Sequence, residues 1–150
     1  MNKEDVIQQI QAKLQTSIDE LKSDIGDLKE SLDNDTKSSA GDKFETSRAM
    51  TQKEMDSLEK QLIQQVRLWE IADQLKGQEP GKEIGVGTMV FTPEMLFFLG
   101  IPMGKIEVQG KAVFCISFHS PLGKQIKEAG LDNKSLSISG KSHAITQITT

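Results

Sequence analysis

The first third of the chain carries one apolar stripe with the spacing of a coiled coil. Charged and polar residues fill the positions between its members, as the a and d positions of a heptad repeat require. The pattern therefore predicts one long helix with a single packing face. The apolar positions recur every three or four residues and are Val6, Ile10, Leu14, Ile18, Leu21, Ile25, Leu28 and Leu32.

A second helical segment is predicted over roughly Lys43–Lys76. The stretch before it, Asp33–Gly41, is rich in turn-forming residues and has no apolar periodicity. A break of this length favours an antiparallel pair of helices. Because each stripe is covered by the other helix alone, we expect the far end of this hairpin to project. The second seam runs through Thr51, Met55, Leu58, Leu62, Val66, Trp69 and Ala72 or Asp73, and Ile63, Leu68, Ile71 and Leu75 widen it near its end.

A glycine-rich stretch from Gly77 to Gly87 then separates two kinds of pattern. We assign residues 1–78 to an antiparallel coiled-coil hairpin with its tip near 33–45, residues 79–87 to a linker, and residues 88–150 to a second domain. Short β-type runs dominate that domain. The predicted strands are Thr88–Phe91, Met95–Ile101, Lys105–Val108, Ala112–Phe118, Ser135–Ile138 and Ala144–Ile148.

The second domain is predicted to be a small, mainly antiparallel sheet with one helix, so the fold class is α+β. Ala112–Phe118 has the composition of the most buried strand. The last two strands are expected to form a closing hairpin around Ser139–Lys141. Ser120 and Pro121 open the helix as N-cap and first residue, and Gly130 follows its last turn.

Charge is unevenly shared along the chain. Residues 1–79 carry 11 Lys/Arg and 17 Asp/Glu, whereas residues 80–150 carry 7 and 5. The acidic half argues against independent binding to duplex DNA, which needs a basic surface. The single cysteine, Cys115, excludes an internal disulfide and fits a reducing cytoplasm. No apolar run is long enough to cross a membrane, so we expect a cytoplasmic protein.

The predicted hairpin tip contains two acidic residues, Asp42 and Glu45, within Gly41–Glu45. Their spacing is also that of a helix-capping box, which stabilises a helix start by about 0.5–2 kcal/mol. The residues alone therefore leave two interpretations open: a structural cap, or a carboxylate pair available to a partner. Phe44 between them either contacts a partner or folds back over the loop.

At this point the chain resembles the Gre family of bacterial transcript cleavage factors. Gly41-Asp42-x-x-Glu45 is similar to the family's Gly-Asp-x-x-Glu tip, in the same place between two helices. The segment Cys115–Gly123 is similar to the family's Ile-Ser-x-x-Ser-Pro-Ile-Ala segment. The resemblance covers the whole chain and implies an N-terminal coiled-coil hairpin followed by a small FKBP-like domain.

The resemblance also implies a function without catalysis of the chain's own. The second domain would dock on RNA polymerase near its secondary channel, with His119, Ser120, Pro121 and Leu122 as the docking residues. Asp42 and Glu45 would act as catalytic and metal-binding residues at the polymerase's second Mg²⁺. There they would promote hydrolysis of the nascent RNA near its 3′ end. The free protein would hold no metal and would be a monomer.

The family motif usually continues with Asn-Ala-Glu-Tyr, whereas this chain has Thr46–Ala49, with Arg48 reversing one charge. Two alternatives therefore stand beside cleavage. The chain could bind the same channel and modulate transcription without cleaving RNA, or it could be a coiled-coil interaction protein whose tip acids only cap a helix.

Two enzyme classes have weaker support from the residues than the functions above. Cys115, His119 and His143 have the residue types of a Cys–His–His site, but Cys115 lies in an apolar run, where a free cysteine is most often a small buried hydrophobe. An FKBP-like fold suggests prolyl isomerase activity as the second enzyme class. Fold alone is poor warrant for activity, and the chain has no tyrosine with which to build an aromatic-lined pocket.

Overall fold

The computed structural model describes residues 1–35 and 42–150, with side chains described for 1–34 and 45–150. Two long helices come first and a small mixed sheet with one short helix follows, so the fold is α+β. No described helix is long and apolar enough to cross a membrane. The elements are α1 (Lys3–Asp35), α2 (Asp42–Gln74), β1 (Met89–Phe91), β2 (Leu96–Leu99), β3 (Gly104–Val108), β4 (Lys111–Ile116), α3 (Pro121–Ala129), β5 (Ser135–Ile138), β6 (Lys141–Ala144) and β7 (Gln147–Thr149).

Helix α1 extends further than its pattern predicted. The break was expected to begin at Asp33, yet Asp33–Asp35 are helical. Asp, Asn and Asp are weak helix formers, but they follow a long helix that is already formed, and adding a residue to an existing helix is easier than starting one. The rest of the predicted break, residues 36–41, lies outside the described residues.

The described chain divides into two compact units. One consists of Ala12–Trp69, and the other combines Met1–Gln11 with Glu70–Thr150. Within the first, most of the α1 seam is buried: Leu14 is 1% exposed and Ile18 is 5% exposed, whereas Ile25 and Leu28 are partly buried. Leu32, one turn before the end of α1, is also buried. The α2 seam residues of this unit are partly buried, so the two predicted stripes are packing surfaces.

In the other unit, the start of α1 lies beside the end of α2. The Gln11 side-chain amide donates a hydrogen bond to Asp73 Oδ1 at 3.2 Å. The backbone N–H of Gly77, just after α2, donates to Glu4 Oε1 at 3.3 Å. These contacts pair the beginning of one helix with the end of the other, so the two helices run in opposite directions here.

The main sheet has five strands in the order β3-β4-β2-β1-β7, and β5 and β6 form a separate two-stranded sheet. Strands β2 and β4 are parallel, whereas the other three pairings of the main sheet are antiparallel. The predicted strand Ala144–Ile148 is wrong as a single element. Its beginning belongs to β6, which pairs with β5, and its end belongs to β7, which pairs with β1.

One face of the main sheet packs against α3 and the β5–β6 hairpin. Val90, Phe97 and Leu99 on this face share a buried cluster with Ile126 of α3 and Leu136 of β5. The rings of Phe97 and Phe114, which are register partners, have centroids 5.7 Å apart.

The opposite face of the sheet is buried as well. Successive residues of a strand point to opposite faces. The strand residues next to Val90, Phe97 and Leu99 therefore face away from the first cluster. Because the pairing register aligns Met89, Phe98 and Cys115 across three strands, their side chains share this second face, and all are at most 2% exposed. Buried apolar residues from the helices belong to the same unit: Val6, Ile7, Ile10, Ala72 and Leu75.

Strand β2 is therefore the most buried strand, and the expectation for Ala112–Phe118 was wrong. All four residues of β2 are buried, whereas only Val113 and Cys115 are buried in β4. Four consecutive apolar residues in β2 fit a strand covered on both faces.

The widened stripe at the end of α2 provides a test of this packing. Leu75 is 7% exposed, and its side chain packs against Gly87, just before β1. Leu75→Ala is expected to lower the free energy of unfolding by about 2–5 kcal/mol, the usual range for a buried leucine. Ile63→Ala is the control, because Ile63 is 55% exposed and its truncation should cost about 0.5 kcal/mol or less. Urea denaturation of both variants measures this, and equal losses would contradict the assignment.

Candidate functional site

The predicted acidic pair lies at the start of α2. The helix begins at Asp42, which places Glu45 in its first turn, and the Glu45 side chain is exposed. A helix N-terminus carries partial positive charge, so an acidic residue there is stabilised by about 0.3–1 kcal/mol. The acidic side chain of Glu45 therefore has a structural role at the start of the helix. This role is compatible with a second role in binding a partner. Gly41 and the side chains of Asp42, Lys43 and Phe44 lie outside the described residues.

Carboxylates at this position suit magnesium chemically. Mg²⁺ prefers oxygen ligands, keeps several of its waters and often takes only one or two protein carboxylates. Glu45 offers one exposed carboxylate. Among the described residues there is no group of three or more His, Cys, Asp or Glu side chains that could hold a metal ion.

The turn after Glu45 is open to solvent. Thr46, Ser47, Arg48 and Ala49 are all exposed. Arg48 follows Glu45 by three residues, which places the two side chains on the same side of the helix. The cation thus lies beside the carboxylate that a metal would use.

Sequence reasoning missed an open cavity of about 1040 Å³ beside this part of α2. Its described lining is mostly polar, with Met50 as the apolar exception at 69% exposed. Met50 lies outside the predicted seam. An apolar residue at a position that the heptad pattern leaves to polar residues was the only signal in the sequence that could have indicated this surface. The described lining residues are Thr46, Ser47, Met50, Thr51, Lys53, Glu54 and Ser57.

The predicted docking segment follows β4 and forms the start of α3. Ser120 is the N-cap, as predicted: its hydroxyl accepts a hydrogen bond from the Gly123 N–H at 3.0 Å. The same hydroxyl donates to the Ser117 carbonyl oxygen at 2.7 Å. The Ser117 hydroxyl in turn accepts from the His119 N–H at 3.0 Å. These bonds hold the turn between β4 and α3 in one conformation.

The four predicted docking residues differ in accessibility. His119 and Pro121 are exposed, whereas Ser120 and Leu122 are partly buried. Leu122 packs against the first core cluster, and Ser120 is occupied by its cap. His119 and Pro121 are therefore the two members whose side chains a partner can reach without disturbing the fold. Beside them, Lys127 Nζ lies 5.3 Å from the centre of the Phe118 ring.

Gly123 lets α3 approach the turn before it unusually closely. A Cβ atom built at this position would lie 2.0 Å from the Ser117 carbonyl oxygen, far inside contact distance. Sequence reasoning quoted Gly123 in the motif but assigned it no role; glycine in the first turns of a short helix was the available signal.

The Cys–His–His reading gains no support from the geometry. Cys115 is buried within β4, as its apolar surroundings predicted. His143 lies on β6 with its Nδ1 3.9 Å from the Glu94 carboxylate, and His119 is exposed on the turn before α3.

No protein-family profile, curated protein or solved structure matches this chain.

The close approach at Gly123 is directly testable. Gly123→Ala should lower the free energy of unfolding by about 1–3 kcal/mol or more, because the new methyl group must push apart two backbone segments. Gly26→Ala is the matched control: Gly26 is helical, and a Cβ there would meet nothing within 4 Å. It should instead stabilise the protein by roughly 1 kcal/mol. Urea denaturation separates the two cases, and a neutral Gly123→Ala would show that the turn relaxes freely.

Proposed function

We propose that this chain is a Gre-type accessory factor of RNA polymerase. In this proposal the α1–α2 pair is an antiparallel coiled-coil hairpin that enters the secondary channel, and the sheet with α3 is an FKBP-like docking domain. The observation that carries the proposal is the position of Asp42 and Glu45. Both occupy the first turn of α2, the second of the two long helices. The resemblance to the Gre family implies an acidic tip at this position.

Several further features support the same function. The docking segment presents His119 and Pro121 to solvent on a turn whose backbone is held by the Ser117 and Ser120 hydroxyls. A rigid turn with exposed side chains suits docking, because little conformational freedom is lost on binding. The Glu45 side chain is exposed, so a partner can reach its carboxylate.

The chain's own residues would contribute charge and position. Asp42 and Glu45 would supply oxygen ligands beside the polymerase's catalytic centre and orient a water molecule toward the transcript. A second Mg²⁺, when bound there, supplies an activated water and stabilises the leaving oxygen.

Arg48 favours a second candidate function. Its cationic side chain is exposed one turn after Glu45, where it lowers the net negative charge at the start of α2. A factor with a neutralised tip could occupy the channel without recruiting the metal. It would then modulate transcription by obstructing the channel rather than by promoting cleavage.

Transcript cleavage distinguishes the two candidates. Backtracked elongation complexes incubated with the protein and Mg²⁺ should release short 3′ RNA fragments. Asp42→Asn and Glu45→Gln should each slow release by about 10–100-fold, the range seen when a group that supports a metal is removed. Glu54→Gln is the control, since Glu54 is an exposed acid nine residues further along α2, and it should retain the full rate.

The remaining outcomes of that experiment are equally informative. Absence of fragments together with competition against a known cleavage factor would favour the channel-blocking modulator. Absence of any polymerase binding would exclude both, and would leave the tip acids as helix-capping residues of an interaction protein.

Docking provides a separate test. His119→Ala and Pro121→Ala should weaken binding to core RNA polymerase by roughly fivefold or more, the effect expected of a contact worth over 1 kcal/mol. His119→Ala should unfold at the wild-type urea concentration, because its side chain is exposed, and Pro121→Ala should cost no more than about 1 kcal/mol, the contribution of a proline that fits its backbone position. Ser142→Ala, an exposed change on β6, is the control for affinity. Wild-type affinity in both docking variants would place the contact elsewhere.

A further inference from the structure

Strand β3 forms one edge of the main sheet. It pairs with β4 on one side, and on its other side no strand of the described residues pairs with it. It is five residues long, and Gly104, Lys105 and Glu107 are exposed. The strand at the opposite edge, β7, has only three residues. β3 is therefore the longer of the two edge strands of this sheet.

The pairing with β4 decides which backbone groups of β3 face outward. A two-residue turn with positive φ at both positions joins the two strands. In such a hairpin the residues that flank the turn, Val108 and Lys111, exchange both of their backbone hydrogen bonds. Hydrogen-bonded pairs alternate with non-bonded pairs along an antiparallel ladder. The N–H and C=O groups of Lys105 and Glu107 therefore point away from β4.

The side chains of the same two residues carry opposite charges. Charged side chains at a sheet edge usually discourage pairing with another chain, because a copy of a strand with one sign of charge brings the same sign. On β3, however, Lys105 and Glu107 stand on either side of Ile106 and share one face of the strand. Neither forms a salt bridge within the part of the chain that the structure describes.

These charges favour one alignment of two copies of β3. Antiparallel pairing centred on Ile106 places Lys105 of each copy opposite Glu107 of the other copy. The same alignment makes them hydrogen-bonded pairs, because their backbone groups are the ones that point outward. Centring the pairing on Lys105 or on Glu107 also satisfies the backbone, but it places two like charges opposite each other. Opposite charges directly across two strands are favourable, whereas like charges are unfavourable.

We propose that this protein self-associates through β3 as a symmetric antiparallel dimer, with Lys105 of one copy opposite Glu107 of the other. The interface uses the same strand in both copies, so the assembly closes at two. We expect a weak dimer, because each copy contributes one short strand and exposed ion pairs add little. The proposal departs from the monomer that the Gre resemblance implies, and it does not rest on the proposed function.

Sedimentation velocity of the full chain at low salt tests self-association. Protein between about 10 μM and 1 mM should show a monomer–dimer equilibrium, the range of a weak contact. Glu107→Lys should weaken dimerisation by roughly tenfold or more, because both symmetric pairs become lysine–lysine pairs. Glu128→Lys is the matched control. Glu128 is an exposed acid on α3, and its replacement changes the net charge equally but should leave dimerisation at the parent level.

A charge exchange separates cross-strand pairing from a general effect of net charge. The double variant Lys105→Glu with Glu107→Lys restores opposite charges across the interface and should dimerise like the parent protein. The single variants Lys105→Glu and Glu107→Lys should each self-associate poorly. Mixed in equal amounts they should form a heterodimer, because each strand then meets the opposite charge at both positions.

Amide hydrogen exchange measures the backbone contact directly. The N–H groups of Lys105 and Glu107 should exchange more slowly as the protein concentration rises, whereas the Ile106 N–H, which bonds to β4, should not respond. A protein that stays monomeric at about 1 mM would overturn the proposal. A dimer that Glu107→Lys leaves intact would do the same, and so would a dimer without slower exchange at the two outward N–H groups, since either result assigns the contact to another surface.

Discussion

Burial of β2 on both faces is the constraint on which the rest of this fold depends. A strand of four apolar residues cannot leave either side in water, so the sheet needs a cover on each face. One cover is α3 with the β5–β6 hairpin, joined through Ile126 and Leu136. The start of α1 and the end of α2 belong to the same unit as the sheet, and they contribute further buried apolar residues to it. The ends of the long helices are thus part of the core of the sheet unit and not an attachment to it.

The same constraint explains the candidate docking turn. Covering the first face requires α3 to lie close to the end of β4, and Gly123 allows that approach where a Cβ would collide with Ser117. Ser120 then closes the turn by bonding in both directions. Since these groups are occupied by structural tasks, the proposed docking would rely on the exposed neighbours His119 and Pro121. Residues that hold the fold thus alternate with exposed residues within one short motif.

The amino-acid pattern alone predicted both long helices, the Ser120 cap of α3 and the burial of Cys115, because helix periodicity, capping and local apolarity are properties of neighbouring residues. It could not predict the parallel pairing of β2 with β4, the division of Ala144–Ile148 between two sheets, or the need for glycine at position 123. These depend on residues far apart in the chain meeting in space. The acidic pair belongs to the first group, because a helix start is a property of neighbouring residues: α2 begins at Asp42, with Glu45 in its first turn.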